Sequence, residues 1–203
     1  LKSEGEKAFC AGASFDELLA INDLETSKTF FGGFAKVLNA MRTCRKIVVV
    51  RVQGKTTGGG VGIACAADYC FATENASLAL TEINLGIGPF VIGPYVERKI
   101  GKSQFTAMAI DADFRSANWA EQHNIYHSVS PTIAEMDAEV AQFLEKLASR
   151  SSDALALIKK VSWEGTEHFT ELSPERIHMS ASLILEDTAK KNIEKIKENL
   201  RAK

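Results

Sequence analysis

The sequence predicts an α/β fold with its strands early and its helices late. The β-branched run at residues 47–52 reads as a short buried strand. Residues 69–73 and 77–80 read as two further short strands. Beyond them, Ile133, Met136, Val140, Phe143, Leu144 and Leu147 form an apolar stripe at helical spacing. That order implies an α/β core with an appended helical region. We expect the boundary near residue 130: a core over 1–130 and a C-terminal helical, oligomerisation region over 131–203.

Taken in order, residues 1–7 are polar and look like the end of a strand and a loop. Ala8-Phe9-Cys10-Ala11-Gly12-Ala13 is small and turn-prone. Ser14 follows, with Glu17 three residues later and Leu18 and Leu19 behind it, a capping box at a helix start. Residues 29–43 carry Phe30, Phe34, Val37, Leu38 and Met41 at helical spacing. After the strand at 47–52, residues 54–62 read as a glycine-rich turn and 63–67 as a small-residue helix. Residues 83–94 read as irregular, because Gly86, Gly88, Pro89, Gly93 and Pro94 break any regular element. Helices are expected at 97–110 and 116–123. Asp153 can cap a run to Trp163, Pro174 can open another helix in its first turn, and 190–203 reads as a basic, weakly amphipathic helix.

A chain of 203 residues suits one domain with room for a small appendage, and is long enough for a substantial core. A formal net charge of −2 lacks the basic excess that nucleic-acid or membrane-surface binding requires. No apolar run reaches the ~18 residues of a membrane span, and no signal peptide is visible. The four cysteines, Cys10, Cys44, Cys65 and Cys70, form no CxxC pair, and the four histidines show no metal-ligand spacing. Reduced, structural cysteines fit a cytoplasmic compartment, and no metal is expected.

Thr57-Gly58-Gly59-Gly60-Val61-Gly62 lies between a strand and a helix. A dinucleotide fingerprint would need its third glycine at Ile63 or Cys65, and a Walker loop would need Gly-Lys-Ser/Thr, so both fail. Two readings stay open. One is a tight turn that only glycine fits. The other is an oxyanion site, where a ligand carbonyl approaches unpaired N–H groups at a helix start. The Ala11-Gly12-Ala13 loop has the same character, and two such loops facing each other could hold one carbonyl oxygen between two donors.

Four segments in order resemble the enoyl-CoA hydratase/isomerase (crotonase) family. Lys7-Ala8-Phe9-Cys10-Ala11-Gly12-Ala13-Ser14-Phe15 is similar to its AFxAGAD loop. Residues Val52 to Gly60, with Ala66-Ala67-Asp68-Tyr69, are similar to its glycine-triplet segment. Leu80-Thr81-Glu82-Ile83-Asn84-Leu85-Gly86-Ile87-Gly88-Pro89 is similar to its PExxLGI segment, and Arg115-Ser116-Ala117-Asn118-Trp119-Ala120-Glu121 to a fourth motif. The resemblance implies a crotonase-like superhelix of repeated strand-strand-helix turns, with C-terminal helices that build a homotrimer or a dimer of trimers. The family ordinarily begins with two strands and a helix before the first motif, so it also implies an N-terminally incomplete view of the protein.

For the site, the resemblance implies an acyl-CoA thioester as substrate, CoA being part of it, with no separate cofactor. Ala11, Gly12, Ala13, Ser14, Phe15, Gly58 and Gly59 would bind it. The N–H groups of Ala13 and Gly59 would stabilise a thioester enolate, and Glu82 would move protons. Two positions depart from the family pattern. Ser14 replaces an aspartate, which as a helix cap is a structural exchange. Gly62 stands where the family's hydratases carry a second glutamate, which leans the chemistry toward double-bond isomerisation. Thr81, Asn84 and Glu97 are conceivable substitutes. A solvated or ion-paired Glu82 would fit a non-catalytic acyl-CoA binder, the alternative reading. A serine hydrolase lacks Gly-x-Ser-x-Gly and a histidine in the glycine loops. The basic tail reads as a solvated face or, less directly, as a contact for CoA phosphates.

Overall fold

The computed structural model describes residues 1–201, without the side chains of Leu200 and Arg201. The chain runs β1 (Ala8–Cys10), α1 (Phe15–Ala20), α2 (Leu24–Thr43), β2 (Val49–Val52), β3 (Lys55–Thr57), α3 (Gly59–Ala66), β4 (Tyr69–Thr73) and β5 (Ser77–Ala79). A 3-10 turn (Glu82–Leu85) precedes α4 (Gly93–Asp111), β6 (Arg115–Ser116), α5 (Ala117–Gln122) and β7 (Ser128–Ser130). Four helices close the chain: α6 (Ile133–Ala148), α7 (Ser152–Ser162), α8 (Phe169–Leu183) and α9 (Asp187–Arg201).

Strands β1 to β5 alternate between two sheets, β6 then pairs antiparallel with β5, and β7 returns to the other sheet. One has the order β1-β3-β5-β6 and the other β2-β4-β7. Each strand-strand-helix turn therefore lays one strand on each sheet and winds on, which is the superhelix expected. The core lies where these turns stack. Val50, Val52, Cys70, Ala72, Leu78 and Leu80 are buried against Val61, Ala64 and Cys65 of α3. Small residues on α3 let it sit close to the strands; a methyl at Gly60 would fall 2.6 Å from Cys10 Cβ.

Two buried polar groups pin this core. Asp68 accepts from Val48 N–H at 2.8 Å, from Trp163 Nε1–H at 2.8 Å and from the Lys159 ammonium at 2.8 Å. It thereby joins the approach to β2, the start of β4 and the end of α7. Gln53 donates to Ser3 Oγ, Gly5 O and Ala8 O, which fixes the chain just before β1. Arg51 grips Asp137 through Nε at 2.7 Å and holds α6 on β2. All four cysteines are free. No helix among the described residues is long and apolar enough to cross a membrane.

The serine half of the capping box is present: Ser14 Oγ accepts from Glu17 N–H at 3.4 Å. Other boundaries differ from the sequence reading. The turn expected over 54–62 contains β3 and the first residues of α3. The helix expected from 29 begins at Leu24, because Asp23 accepts from the N–H groups of Glu25 and Thr26. The helix expected from Glu97 begins at Gly93, with Pro94 at its first turn, and breaks at Gly101 where φ is 75°. Ser151, not Asp153, caps α7. Pro174 lies inside α8 and does not open it; the helix starts at Phe169 and forgoes one internal hydrogen bond.

Candidate active site

Three parallel strands place the three motifs side by side. In β1-β3 pairing Cys10 faces Thr56, and in β3-β5 pairing Thr57 faces Ala79. All three strands run the same way and stop at the same edge. From that edge emerge Ala11 to Ser14, then Gly58 to Gly60, then Leu80 to Glu82. Segments nearly seventy residues apart in the chain are thus adjacent in space.

The first loop, Ala11 to Ser14, is exposed, and Phe15 is half-buried at the start of α1. The second enters α3 through Gly58, whose φ of 53° and ψ of −124° suit only glycine. The Gly58 N–H donates to Ala79 O at 3.2 Å, tying the turn to β5. Gly59 opens α3 with Phe34 of α2 packed over it, so closely that a methyl there would sit 2.7 Å from the ring. Among the described residues the N–H groups of Ala13 and Gly59 have no acceptor. Such donors can hold an anionic oxygen.

Glu82 opens the 3-10 turn, which Gly86 closes in the left-handed region at φ 81°. A methyl built on Gly58 would lie 3.5 Å from Glu82 Oε1 and 3.9 Å from Gly12 Cα. The Glu82 carboxylate and the first loop therefore both come within 4 Å of the same point beside the glycine turn. Its Oε2 is sealed from solvent and has no hydrogen-bond partner among the described residues, although the residue as a whole keeps some exposure. Burial pushes the carboxyl up to about 7, partly offset by its own main-chain N–H. A carboxyl at that value can both take and return a proton near neutral pH.

Gly62 does not face this carboxylate across open space. A Cβ there would lie 2.6 Å from Ile92 Cγ2 and 2.8 Å from Ile92 Cβ. The isoleucine fills what a side chain at 62 would need. Among the conceivable substitutes, Glu97 pairs loosely with Lys102 at 3.9 Å and lines a separate cleft of about 490 Å³ between α4 and α8. Thr81 precedes the 3-10 turn and Asn84 lies exposed on it. Among the described residues no cluster of His, Cys, Asp or Glu has metal-binding geometry.

Sequence reasoning missed two contributions. Phe34, read as one of a helical stripe, is the wall behind Gly59. The basic tail is not simply a solvated face: Lys190 donates to the carbonyls of Leu18, Leu19 and Ile21, and Lys197 pairs with Asp16. No local signal marks either contact, since both join residues far apart in the chain.

Known proteins are similar to this chain in sequence and in fold. Mitochondrial enoyl-CoA hydratase of Pongo abelii is 33% identical over 159 residues, covering 77% of this chain and 53% of that protein. Mitochondrial 3-hydroxyisobutyryl-CoA hydrolase of Gallus gallus is 36% identical over 100 residues, covering 47% of this chain and 25% of that protein. The chain thus matches 53% and 25% of the length of these two relatives. The crystal structure of an enoyl-CoA hydratase from Bacillus halodurans superposes with a TM-score of 0.87 at 18% identity, over 96% of this chain and 79% of that one. The family described as enoyl-CoA hydratase/isomerase matches residues 1–202. With its sheets, glycine turn and glutamate in the order the four motifs foretold, this chain belongs to the enoyl-CoA hydratase/isomerase family.

Proposed function

We propose that this protein acts on an acyl-CoA thioester by forming an enolate, with Glu82 as the only acid/base. The observation that carries this reading is a water-shielded carboxyl raised to about 7, pressed against a glycine turn whose neighbouring N–H donors lack acceptors. The N–H groups of Ala13 and Gly59 would bind the thioester oxygen, with Ala11, Gly12, Ser14, Phe15 and Gly58 shaping the approach. Polarising that oxygen acidifies the C2 proton, and the two donors would stabilise the negative charge that develops on it.

One carboxylate is enough for a double-bond shift. Glu82 removes a proton from C2 of a 3-enoyl thioester, the C2–H pair and the alkene form a dienolate, and the same carboxyl, which can exchange its proton with solvent, delivers a proton at C4 to leave a 2-enoyl thioester. Hydration asks in addition for a second group to orient and deprotonate water, and Gly62 with Ile92 against it supplies none. We therefore favour isomerisation over hydration. Hydrolysis is the competing reading, because a relative named as a 3-hydroxyisobutyryl-CoA hydrolase is 36% identical to this chain over 100 residues, against 33% over 159 for the enoyl-CoA hydratase.

Paired 2-enoyl- and 3-enoyl-CoA substrates, followed with a thiol reagent, separate these outcomes. The expected result is interconversion without release of free CoA. Fast release of CoA would move the reading to hydrolysis, and fast hydration with no shift would contradict the single-acid mechanism. As the base, Glu82 must start ionised, so kcat/KM for the 3-enoyl substrate should fall as pH drops through about 7. A flat profile from pH 6 to 8 would count against it.

The apolar face of α7 supports the self-association that the family resemblance implies. Leu157, Ile158 and Val161 are 61%, 61% and 62% exposed. Light scattering on intact protein should report a trimer or a dimer of trimers. A stable monomer would remove this part of the proposal.

A further inference from the structure

The last helix, α9, touches both elements that carry the proposed chemistry. On one side it meets α1, the helix that continues directly from the Ala11–Ser14 loop. Lys190 donates to Leu18 O at 3.2 Å and Leu19 O at 3.3 Å, and also to Ile21 O. These carbonyls lie at the end of α1; Leu18 O also accepts from Ile21 N–H at 3.4 Å, whereas Leu19 O and Ile21 O lie past the last helical bond, and an ammonium there also suits the helix dipole. About two turns further on, Lys197 pairs with Asp16 in the first turn of α1. On the other side α9 meets the Glu82 turn. A methyl on Gly86 would lie 3.4 Å from Ala189 Cα and 3.5 Å from Asn192 Nδ2. Between the two contacts, Ala189 and Ile193 are buried in one cluster with Leu18, Ile21 and Ile87.

The six residues of α1 are too few to hold a helix by themselves. Its position is set by what packs on it, and α9 supplies both lysines. We propose that Lys190 is a positioning residue for the active site: by gripping the end of α1 from the helix that also backs the Glu82 turn, it sets the Ala13 N–H relative to the Glu82 carboxylate. This inference rests on the enolate reading given above. It differs from a general stabilising role because its effect falls on turnover, where a displacement of about 1 Å can cost about 100-fold.

Lys190→Met keeps the aliphatic stem and removes the three donors. Two measurements on intact protein test it. Amide hydrogen exchange, which needs no substrate, should quicken about 10-fold or more over residues 11–20. Steady-state kinetics with the enoyl-CoA pair should show kcat down about 10-fold or more with KM within about threefold, and Lys190→Arg should restore most of the loss. Glu194→Gln, an exposed position on the same helix, should change neither measurement. If Lys190→Met does not fold, Lys197→Met should give the same pattern more weakly. Faster exchange with unchanged kcat, or no change in either, overturns the inference. So does a loss that appears only as a lower melting temperature. Wild-type protein without thioester turnover would overturn it together with the enolate reading, and an exchange effect seen in that same protein would show that the failure lies in the chemistry and not in the grip of Lys190 on α1.

Discussion

Glu82→Gln should abolish turnover while leaving acyl-CoA binding nearly unchanged. The amide keeps the size of the side chain and its place against Gly58, but it cannot take a proton. With no second carboxylate at position 62, nothing nearby inherits the role, so kcat should fall about 1,000-fold or more with the affinity for a substrate analogue within a few-fold. The same substitution should affect stability in the opposite sense. A carboxyl raised to about 7 in the fold, against an ordinary value of 4.5, favours the folded state while it is neutral. That contribution is fully present below about 4.5 and is lost as pH rises through about 7. Glutamine never carries the buried charge, so Glu82→Gln should melt higher than wild type at pH 8 and alike at pH 4. A variant that keeps its activity, or melts lower at pH 8, would remove Glu82 from the centre of this account.

Gly62→Glu should fail as a route to hydration. By sequence alone the substitution looks like a restoration of the second glutamate, and hydratase activity would be the natural expectation. The packing says otherwise. The Cβ alone would fall 2.6 Å from Ile92 Cγ2, in a buried stretch of α3 with Leu38 3.6 Å away. Either Ile92 and its loop move, or the carboxylate is forced into apolar surroundings. We expect a loss of about 3 kcal/mol or more in stability, seen as a melting temperature lower by about 6–12 °C, and no gain in hydration. The double variant Gly62→Glu with Ile92→Ala should recover part of the stability by opening that space. A well-folded single variant that hydrates a 2-enoyl-CoA would show that Ile92 yields easily and that the site is built for two acids.

The positions of these groups were legible to different degrees. Residues 47–52 and 69–73 stood out because β-branched and apolar residues cluster there, and both became strands. Ser14 and Glu17 marked the start of α1 because a capping box is a local hydrogen-bond pattern. β3 was invisible: Lys55–Thr57 is polar, three residues long and set among glycines. It is a strand because β1 and β5 pair with it on both sides, and pairing is not written in the segment itself. Ile92 against Gly62 was equally hidden, since it depends on how α4 approaches α3. The motif resemblance placed Glu82 and the glycine turn in one family pattern, but the burial that raises the Glu82 carboxyl, and the grip of Lys190 on α1, come from packing between distant elements.

The central claim is that Ala13, Gly59 and Glu82 together generate a thioester enolate. Proton NMR of 3-enoyl-CoA in D2O with the intact protein tests it most directly. The account predicts deuterium appearing at C2 or C4 of recovered thioester with wild-type protein, and none with Glu82→Gln. Turnover of the 3-enoyl thioester by wild-type protein with no deuterium at either carbon would contradict it. Exchange that persists in Glu82→Gln at the wild-type rate would contradict the account outright.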